Sequence, residues 1–187
     1  MKPFWQPLKP FFITQTFGQN RVCINDDRLI ITCDGNNPPE GFRSIYGEKG
    51  HLGLDLYAEE GQEIYCAQSG KVVWIDTNTY SGLDVRIEST IDGKKYTHIY
   101  EHLNGYTVAV GQEVVTGQVI GWAGKTGYAS GVHLHFQVQD EQGNPLDPLP
   151  LMENACATEV LKTVNLLKYL KEQVAILTDM VAVYMRK

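Results

Sequence analysis

The sequence predicts a mainly β domain of the sandwich or barrel type, followed by a C-terminal amphipathic α-helix. Short apolar or alternating segments recur from residue 61 to residue 140, and Gly, Asn, Asp and Ser separate them about every ten residues. The composition then changes, because residues 153–187 contain no Gly or Pro. We therefore expect a β domain over residues 1–152 and a helix over residues 153–187.

Six segments carry the strand pattern: "GQEIYCAQSGKVVWIDT", "GLDVRIEST", "KKYTHIYEHL", "YTVAV", "GQVIGWAG" and "VHLHFQVQD". Two stretches, "GQEIYCAQSGKV" and "GQEVVTGQVI", share an order of residues that suggests a sandwich with approximate two-fold internal symmetry. Chance similarity of turn residues is the alternative. Residues 20–50 are rich in Gly, Pro and Asn, and they predict a long loop that is either functional or an ordinary surface excursion.

Composition excludes several classes of protein. The 187 residues are 43% hydrophobic and 20% charged, and the formal net charge is −6. A chain of this length fits one globular domain with a small appendage, and its negative charge argues against a nucleic-acid partner. No apolar run is long enough to span a bilayer, and Pro3, Pro7 and Pro10 interrupt the region where a signal peptide would lie.

The four cysteines have no CxxC spacing, so a zinc knuckle or a thioredoxin-type site is not expected. Cys23 and Cys33 are close enough in sequence to pair. A hairpin about residues 25–28, however, sets Cys23 opposite Ile30, and free thiols are the more common case.

The helical tail has an apolar stripe with steps of three and four residues. Its members are Leu167, Leu170, Val174, Leu177, Val181 and Tyr184. Such a stripe is buried against the β domain or against the same helix of a second chain. Docking on a membrane is the least expected option, because the polar face of the helix contains the acidic residue Asp179 and only a few basic residues. We expect a homo-oligomer formed through this helix.

Two short motifs bring metal-binding residue types together. In "SGVHLHFQVQD", His133 and His135 share one face of a strand, and in "GHLGLDLYA" an extended segment places His51 and Asp55 on one face. Gly53 removes the side chain that would stand between them. Zinc binds histidine nitrogen and carboxylate oxygen, and three protein ligands with an open fourth position are typical of a catalytic site.

Only one histidine of the HxH pair is expected to bind such a metal. Same-face neighbours on a strand are about 6.6–7 Å apart, so two imidazoles could reach one ion only with strain. The other imidazole would stand beside the metal, where it could transfer a proton or stabilise an oxyanion. In "YTHIYEHLN", His102 ends another strand and could supply a second group of this kind.

Together these motifs resemble the lysostaphin-type (LytM-type) zinc endopeptidases, which cut peptide bonds in bacterial peptidoglycan. The similarity covers about residues 12–152 and rests on HxxxD at residue 51, "YEHL" and "GVHLHF" in the family's order and spacing. The resemblance implies an antiparallel β sandwich. It also implies one zinc ion per chain, bound by His51, Asp55 and His135, with His102 and His133 as the catalytic pair.

Three further residues are candidates for contact with substrate. Tyr80 and Tyr128 lie in segments that predict loops, although surface tyrosines are common. His98 shares a face with Tyr100 and His102 if their strand is regular, although no motif of the family includes it.

The function expected from the resemblance is zinc-dependent hydrolysis of the stem peptide or cross-bridge of peptidoglycan. The sequence has the family's residue at all three ligand positions and at both catalytic positions. This favours an active enzyme, because some relatives have lost metal ligands. The protein would act at the bacterial cell wall, in an extracellular, periplasmic or phage-delivered setting, with no signal peptide visible in this chain. The alternative is a wall-binding or assembly module of low activity, whether phage-associated or not, with the helix as its working part.

Overall fold

The computed structural model describes residues 4–18, 22–24, 30–32 and 50–152, and only the backbone at residues 22–24 and 30–32. In these ranges the chain forms twelve β-strands and a short 3-10 helix at Leu149–Leu151. The strands are β1 (Ile13–Gln15), β2 (Val22–Ile24), β3 (Ile30–Thr32), β4 (Leu54–Tyr57), β5 (Glu63–Tyr65), β6 (Gly70–Asn78), β7 (Gly82–Ile91), β8 (Lys94–Tyr106), β9 (Glu113–Val114), β10 (Val119–Ala123), β11 (His133–Gln139) and β12 (Pro145–Leu146).

Ten of these strands form one sheet, in which the central order is β1-β4-β11-β8-β7-β6-β9. Every pairing between its strands is antiparallel, and β10 joins β5 to the last part of β8. The prediction of a mainly β, antiparallel domain is confirmed. The hairpin between β7 and β8 closes with Asp92 and Gly93, both at positive φ, as a tight two-residue hairpin turn requires.

The stretch over residues 20–50 was expected to be a loop, and this prediction is wrong for part of it. Strands β2 and β3 pair antiparallel there, with Cys23 opposite Ile31 rather than Ile30. The hairpin is consistent with two apolar, β-branched runs on either side of the polar "NDDR" segment. Cys33 lies outside the described residues, so its pairing with Cys23 stays untested.

The compact unit that carries the sheet ends at Met152. The helix predicted over residues 153–187, with its apolar stripe and the self-association expected from it, lies outside the described residues and stays a prediction. Within the part of the chain that is described, no helix is long and apolar enough to cross a membrane.

The core lies on one face of the central sheet. Along β11 the side chains alternate, so that Leu134, Phe136 and Val138 are fully buried while the histidines between them face the other side. Tyr100 of β8 crosses the core, and its hydroxyl accepts a hydrogen bond of 2.8 Å from the backbone N–H of Ala67. The N-terminal segment covers this face through buried apolar residues such as Phe4.

The repeated Gly-Gln pairs of the sequence have a common local cause. Each closes a four-residue turn whose third residue is a glycine at positive φ. The glutamine backbone N–H donates to the carbonyl of the first residue, and its side-chain oxygen accepts from that residue's N–H, at 2.8–3.1 Å. The turns span residues 59–62, 109–112 and 115–118. The similarity between the two stretches therefore reflects shared turn chemistry.

A β-bulge in β8 changes which side chains face the core. Val85 of β7 lies opposite Tyr100, whereas Leu83 lies opposite Leu103, so β8 carries one extra residue between these two pairs. His102 occupies the bulge with φ of 65°. Because the bulge interrupts the alternation, Leu103 enters the core and His102 does not stay on the face of Tyr100.

His98 lies on the core face of β8, between Val138 of β11 and Ile87 of β7. It is fully buried, and its ring centroid lies 4.6 Å from that of Phe4. The prediction that His98 contacts substrate is wrong in this structure, because it assumed a regular strand through His102. Neither ring nitrogen has a hydrogen-bond partner among the described residues, and burial lowers the pKa of His98 to about 3.

Replacement of His98 by leucine is expected to make the protein less sensitive to acid. The unfolded chain binds a proton at His98 near pH 6.5, whereas the folded chain does so only near pH 3, so stability falls as the pH drops between these values. Between pH 6 and pH 4, the wild type should lose about 2–3 kcal/mol more stability than His98→Leu. Urea unfolding at both pH values measures the difference, and an equal loss in the two proteins would contradict this role.

Candidate metal centre

His51 lies three residues before the start of β4 and is fully buried. The N-terminal segment holds it at two points, because its carbonyl accepts from the backbone N–H of Gly18 at 2.7 Å and its Nδ1 lies 3.0 Å from the carbonyl oxygen of Thr16. A carbonyl can only accept, so the proton is on Nδ1. The lone pair of Nε2 therefore points toward the interior of the site.

Asp55 and His135 lie directly opposite each other on the paired strands β4 and β11. His135 Nδ1 lies 2.9 Å from Asp55 Oδ1, and His51 Nε2 lies 3.0 Å from each of these two atoms. The three atoms that could donate a lone pair to a metal thus form a nearly equilateral triangle. We call it the donor triangle. Asp55 is partly buried, and both imidazoles are buried.

This donor set fits a metal ion. Ligand atoms that bind zinc at about 2.0–2.1 Å in a tetrahedron lie about 3.3 Å from one another. The distances between the three atoms of this cluster are close to that value. Burial alone would raise the pKa of Asp55, but the adjacent imidazoles of His135 and His51 outweigh it and hold the pKa well below its usual range. An ionised carboxylate and two imidazole nitrogens are the ligand types that bind zinc and related divalent ions.

His102 and His133 stand beside this cluster, with their ring centroids 4.7 Å apart. Each donates from Nδ1 to a carbonyl oxygen at 2.9 Å, His102 to Thr126 and His133 to Gly131. Their Nε2 atoms are therefore the basic nitrogens, and that of His133 lies 3.7 Å from Asp55 Oδ1. Burial and the neighbouring His133 lower the pKa of His102, although the Thr126 carbonyl acts in the opposite direction.

Tyr80 and Tyr128 lie on two adjoining loops next to these histidines. The backbone N–H of Tyr128 donates to the carbonyl of Tyr80 at 2.8 Å, and Asn78 Oδ1 accepts from the N–H groups of Tyr80 and Ser81. Both tyrosines are more than 60% exposed. A cavity of about 320 Å³ is lined by residues 127–130 of the second loop. The loops thus present two exposed rings from fixed backbone positions.

The sequence interpretation missed Glu101 of β8. It lies opposite His135 in the sheet, and its Oε1 accepts a hydrogen bond of 3.0 Å from the hydroxyl of Ser81. Regular alternation would place Glu101 and His102 on opposite faces, so only the bulge brings both to the same side. No sequence signal marked the bulge, since positive φ is uncommon at residues other than glycine and a single histidine does not predict it.

A comparison with family models matches residues 49–148 to Peptidase family M23. The chain belongs to this family. The matched range contains His51, Asp55, His102, His133 and His135.

Two curated relatives show the extent of the similarity. Lysostaphin of Staphylococcus simulans is 34% identical to the M23 chain over 108 residues, which are 56% of this chain and 22% of lysostaphin. The peptidoglycan DD-endopeptidase ShyA of Vibrio cholerae is 36% identical over 88 residues, which are 47% of this chain and 20% of ShyA. The M23 chain thus spans about a fifth of the length of these relatives.

Two solved structures are similar to the M23 chain in fold. A zinc-containing peptidase from Vibrio cholerae aligns with a TM-score of 0.59 and 28% identity, over 79% of this chain and 39% of that one. The catalytic domain of lysostaphin from Staphylococcus simulans aligns with a TM-score of 0.56 and 27% identity, over 75% of this chain and 90% of the domain. The predicted lysostaphin-type, LytM-like resemblance is confirmed.

Replacement of Gly53 by alanine is expected to weaken metal binding. A methyl group at this position would overlap the carbonyl oxygen of Phe136 and lie 3.0 Å from Cε1 and Nε2 of His135, so β11 or its imidazole must move. We expect the affinity for Zn²⁺, measured by calorimetric titration, to fall by about 10- to 100-fold.

Gly131→Ala is the matched control for this variant. Gly131 lies in the loop that anchors His133, it has no positive φ, and an added methyl would meet no atom within 4 Å. The control should bind Zn²⁺ as the wild type does. Equal affinities for Gly53→Ala and the wild type would mean that this close approach does not position His135.

Proposed function

We propose that this chain is a zinc-dependent endopeptidase that hydrolyses peptide bonds in bacterial peptidoglycan. The observation that carries the proposal is the triangle of His51 Nε2, Asp55 Oδ1 and His135 Nδ1, whose sides measure 2.9–3.0 Å. One zinc ion per chain would be held by these three atoms. The similarity to a zinc-containing peptidase and to peptidoglycan endopeptidases supports the choice of metal and of substrate.

When bound, zinc would supply a Lewis acid that polarises the scissile carbonyl and lowers the pKa of water toward 7. The chain itself supplies the fixed ligand geometry and the proton transfers. Asp55 stays ionised because His135 and His51 hold its pKa low against the effect of burial. Its Oδ1 also lies 3.7 Å from Nε2 of His133.

His102 and His133 are the proposed catalytic pair. Each has its Nδ1 proton committed to a carbonyl oxygen, so in the neutral form each offers only a lone pair at Nε2. His133 would accept a proton from the attacking water. His102, once protonated, would donate from Nε2 to the developing oxyanion or to the leaving nitrogen. The rings are 4.7 Å apart, and burial together with the neighbouring His133 lowers the pKa of His102.

Tyr80 and Tyr128 are proposed to contact the substrate. Their loops adjoin the catalytic pair, since Thr126, which anchors His102, directly precedes the segment that carries Tyr128. Exposed aromatic rings on rigid supports bind ligands with little loss of conformational entropy. The cavity lined by residues 127–130 gives room for part of a peptide beside them. His98 is not part of this proposal.

The proposed place of action is the bacterial cell wall, in an extracellular, periplasmic or phage-delivered setting. The partner is a peptide of peptidoglycan, and the bond cut is in the stem peptide or in the cross-bridge. The net charge of −6 does not favour nucleic acid as a partner.

Incubation with purified peptidoglycan tests the function directly. The protein should release peptide fragments that mass spectrometry identifies as products of amide hydrolysis. A chelator should abolish release, and added Zn²⁺ should restore it. Single alanine variants of His51, Asp55 and His135 should each lose bound zinc, measured by metal analysis.

His98→Leu serves as the control for removal of a histidine outside the cluster, and it should retain one zinc ion. Binding to peptidoglycan without any cleavage would contradict the enzyme and support the alternative of a wall-binding module. Cleavage that is unaffected by the chelator would contradict the role of the metal.

Alanine variants of His102 and His133 should separate catalysis from metal binding. Neither imidazole is within the donor triangle, so both variants should keep their zinc. Each should lose about 10²- to 10⁴-fold in kcat, because a positioned acid or base contributes that much. A variant with a normal rate would remove that histidine from the mechanism, and a variant without zinc would place it among the ligands.

A further inference from the structure

Glu101 lies side by side with two of the proposed metal ligands, on three adjacent strands of the sheet. Asp55 of β4 lies opposite His135 of β11, and His135 lies opposite Glu101 of β8. Directly opposed residues of antiparallel strands place their side chains on the same face. Glu101 therefore faces the site one strand away from the metal ligands, on the side that leads toward β7.

The carboxylate of Glu101 has no lysine or arginine partner among the described residues, unlike two carboxylates of the neighbouring strand β7. Asp84 is paired with Arg86 at 3.0 Å, and Glu88 is paired with Lys95 at 3.0 Å. Half-buried Glu101 accepts a hydrogen bond from the neutral hydroxyl of Ser81, and its charge acts on the nearby imidazoles of His102 and His135. A carboxylate that is partly removed from water gains stability from a permanent cation, and the described part of the chain pairs none with Glu101.

Glu101 is also outside the donor triangle formed by His51, Asp55 and His135. Adjacent strands are about 4.7–4.9 Å apart, and an extended peptide advances about 3.3–3.6 Å per residue. A cationic group that contacts Glu101 would therefore belong to a substrate residue one or two positions from the scissile bond. At this distance Glu101 can influence which peptides are cut.

We propose that Glu101 is a specificity-determining residue that binds an ammonium group of the substrate peptide, one or two residues from the bond that is cut. This inference rests on the proposed peptidase function. Two sources carry this chemistry: the α-ammonium group at the free end of a peptide branch, and the side-chain ammonium group of a diamino acid. A charged hydrogen bond in a partly desolvated site gives a preference of about 10- to 100-fold.

The test compares peptides with free and acetylated amines. Synthetic peptidoglycan peptides that span the stem peptide and its cross-bridge are prepared with both amines free, with only the α-amine acetylated, and with only the side-chain amine acetylated. For the zinc-loaded full chain, acetylation of one of the two amines should lower kcat/KM by about 10- to 100-fold. Which of the two acetyl groups has this effect identifies the source of the ammonium group.

Glu101→Gln should remove the preference. Glutamine keeps the shape and the hydrogen bond with Ser81, so kcat/KM should fall for the free amine and stay nearly unchanged for the acetylated peptide. Glu101→Asp keeps the charge and should restore part of the preference. Glu88→Gln is the matched control, because it removes the same charge from the same face at a carboxylate already paired with Lys95.

Two outcomes would overturn the inference. The first is an unchanged amine preference in Glu101→Gln. The second is an equal loss on all peptides in Glu101→Gln and Ser81→Ala, which would mean that Glu101 only fastens the loop of Ser81. If the wild type cuts none of the peptides, the proposed function fails. Calorimetry then decides the inference separately, since the wild type must bind the free-amine peptide more tightly than the acetylated one, and Glu101→Gln must not.

Discussion

The pairing register between β4 and β11 is the constraint on which the site depends. It sets Asp55 opposite His135, and the core enforces it from the other face of the same two strands. There Leu56 lies opposite Leu134 and Leu54 lies opposite Phe136, all fully buried. A slip by one residue would turn the polar donors into the core and these apolar side chains out of it. Because each buried side chain contributes about 1.5–3 kcal/mol, the core strongly selects the register that assembles the triangle.

The imidazoles of the site follow a common rule for their orientation. His51, His102 and His133 each donate from Nδ1 to a backbone carbonyl, one in the N-terminal segment and two in the loop between β10 and β11. A carbonyl fixes both the tautomer and the ring plane, so each Nε2 is directed into the site as a base. His135 differs, because its Nδ1 itself belongs to the donor triangle. The backbone thus sets which nitrogen of each ring is available for chemistry.

The bulge in β8 places catalytic and substrate-facing groups together. One extra residue between Tyr100 and Leu103 brings the adjacent residues Glu101 and His102 to the same side of the sheet, although regular alternation would separate them. The same bulge leaves His98 on the core face, where it has neither solvent nor a hydrogen-bond partner within the described residues. Local loss of ladder pairing is thus the structural origin of the difference between these two histidines.

The mainly β, antiparallel class, the family and the short-range geometry of the HxxxD and HxH motifs could all be predicted from the sequence. These depend on residue type and on the two-residue period of a strand, which hold wherever the strand lies. That Asp55 faces His135, that Glu101 lies beside them and that His98 is buried away from them became evident only in the folded chain. The same is true of the register between β2 and β3, which sets Cys23 opposite Ile31. Register, bulges and strand neighbours depend on contacts between residues far apart in the chain, and the alternation of apolar and polar residues along one strand carries no information about the strand beside it.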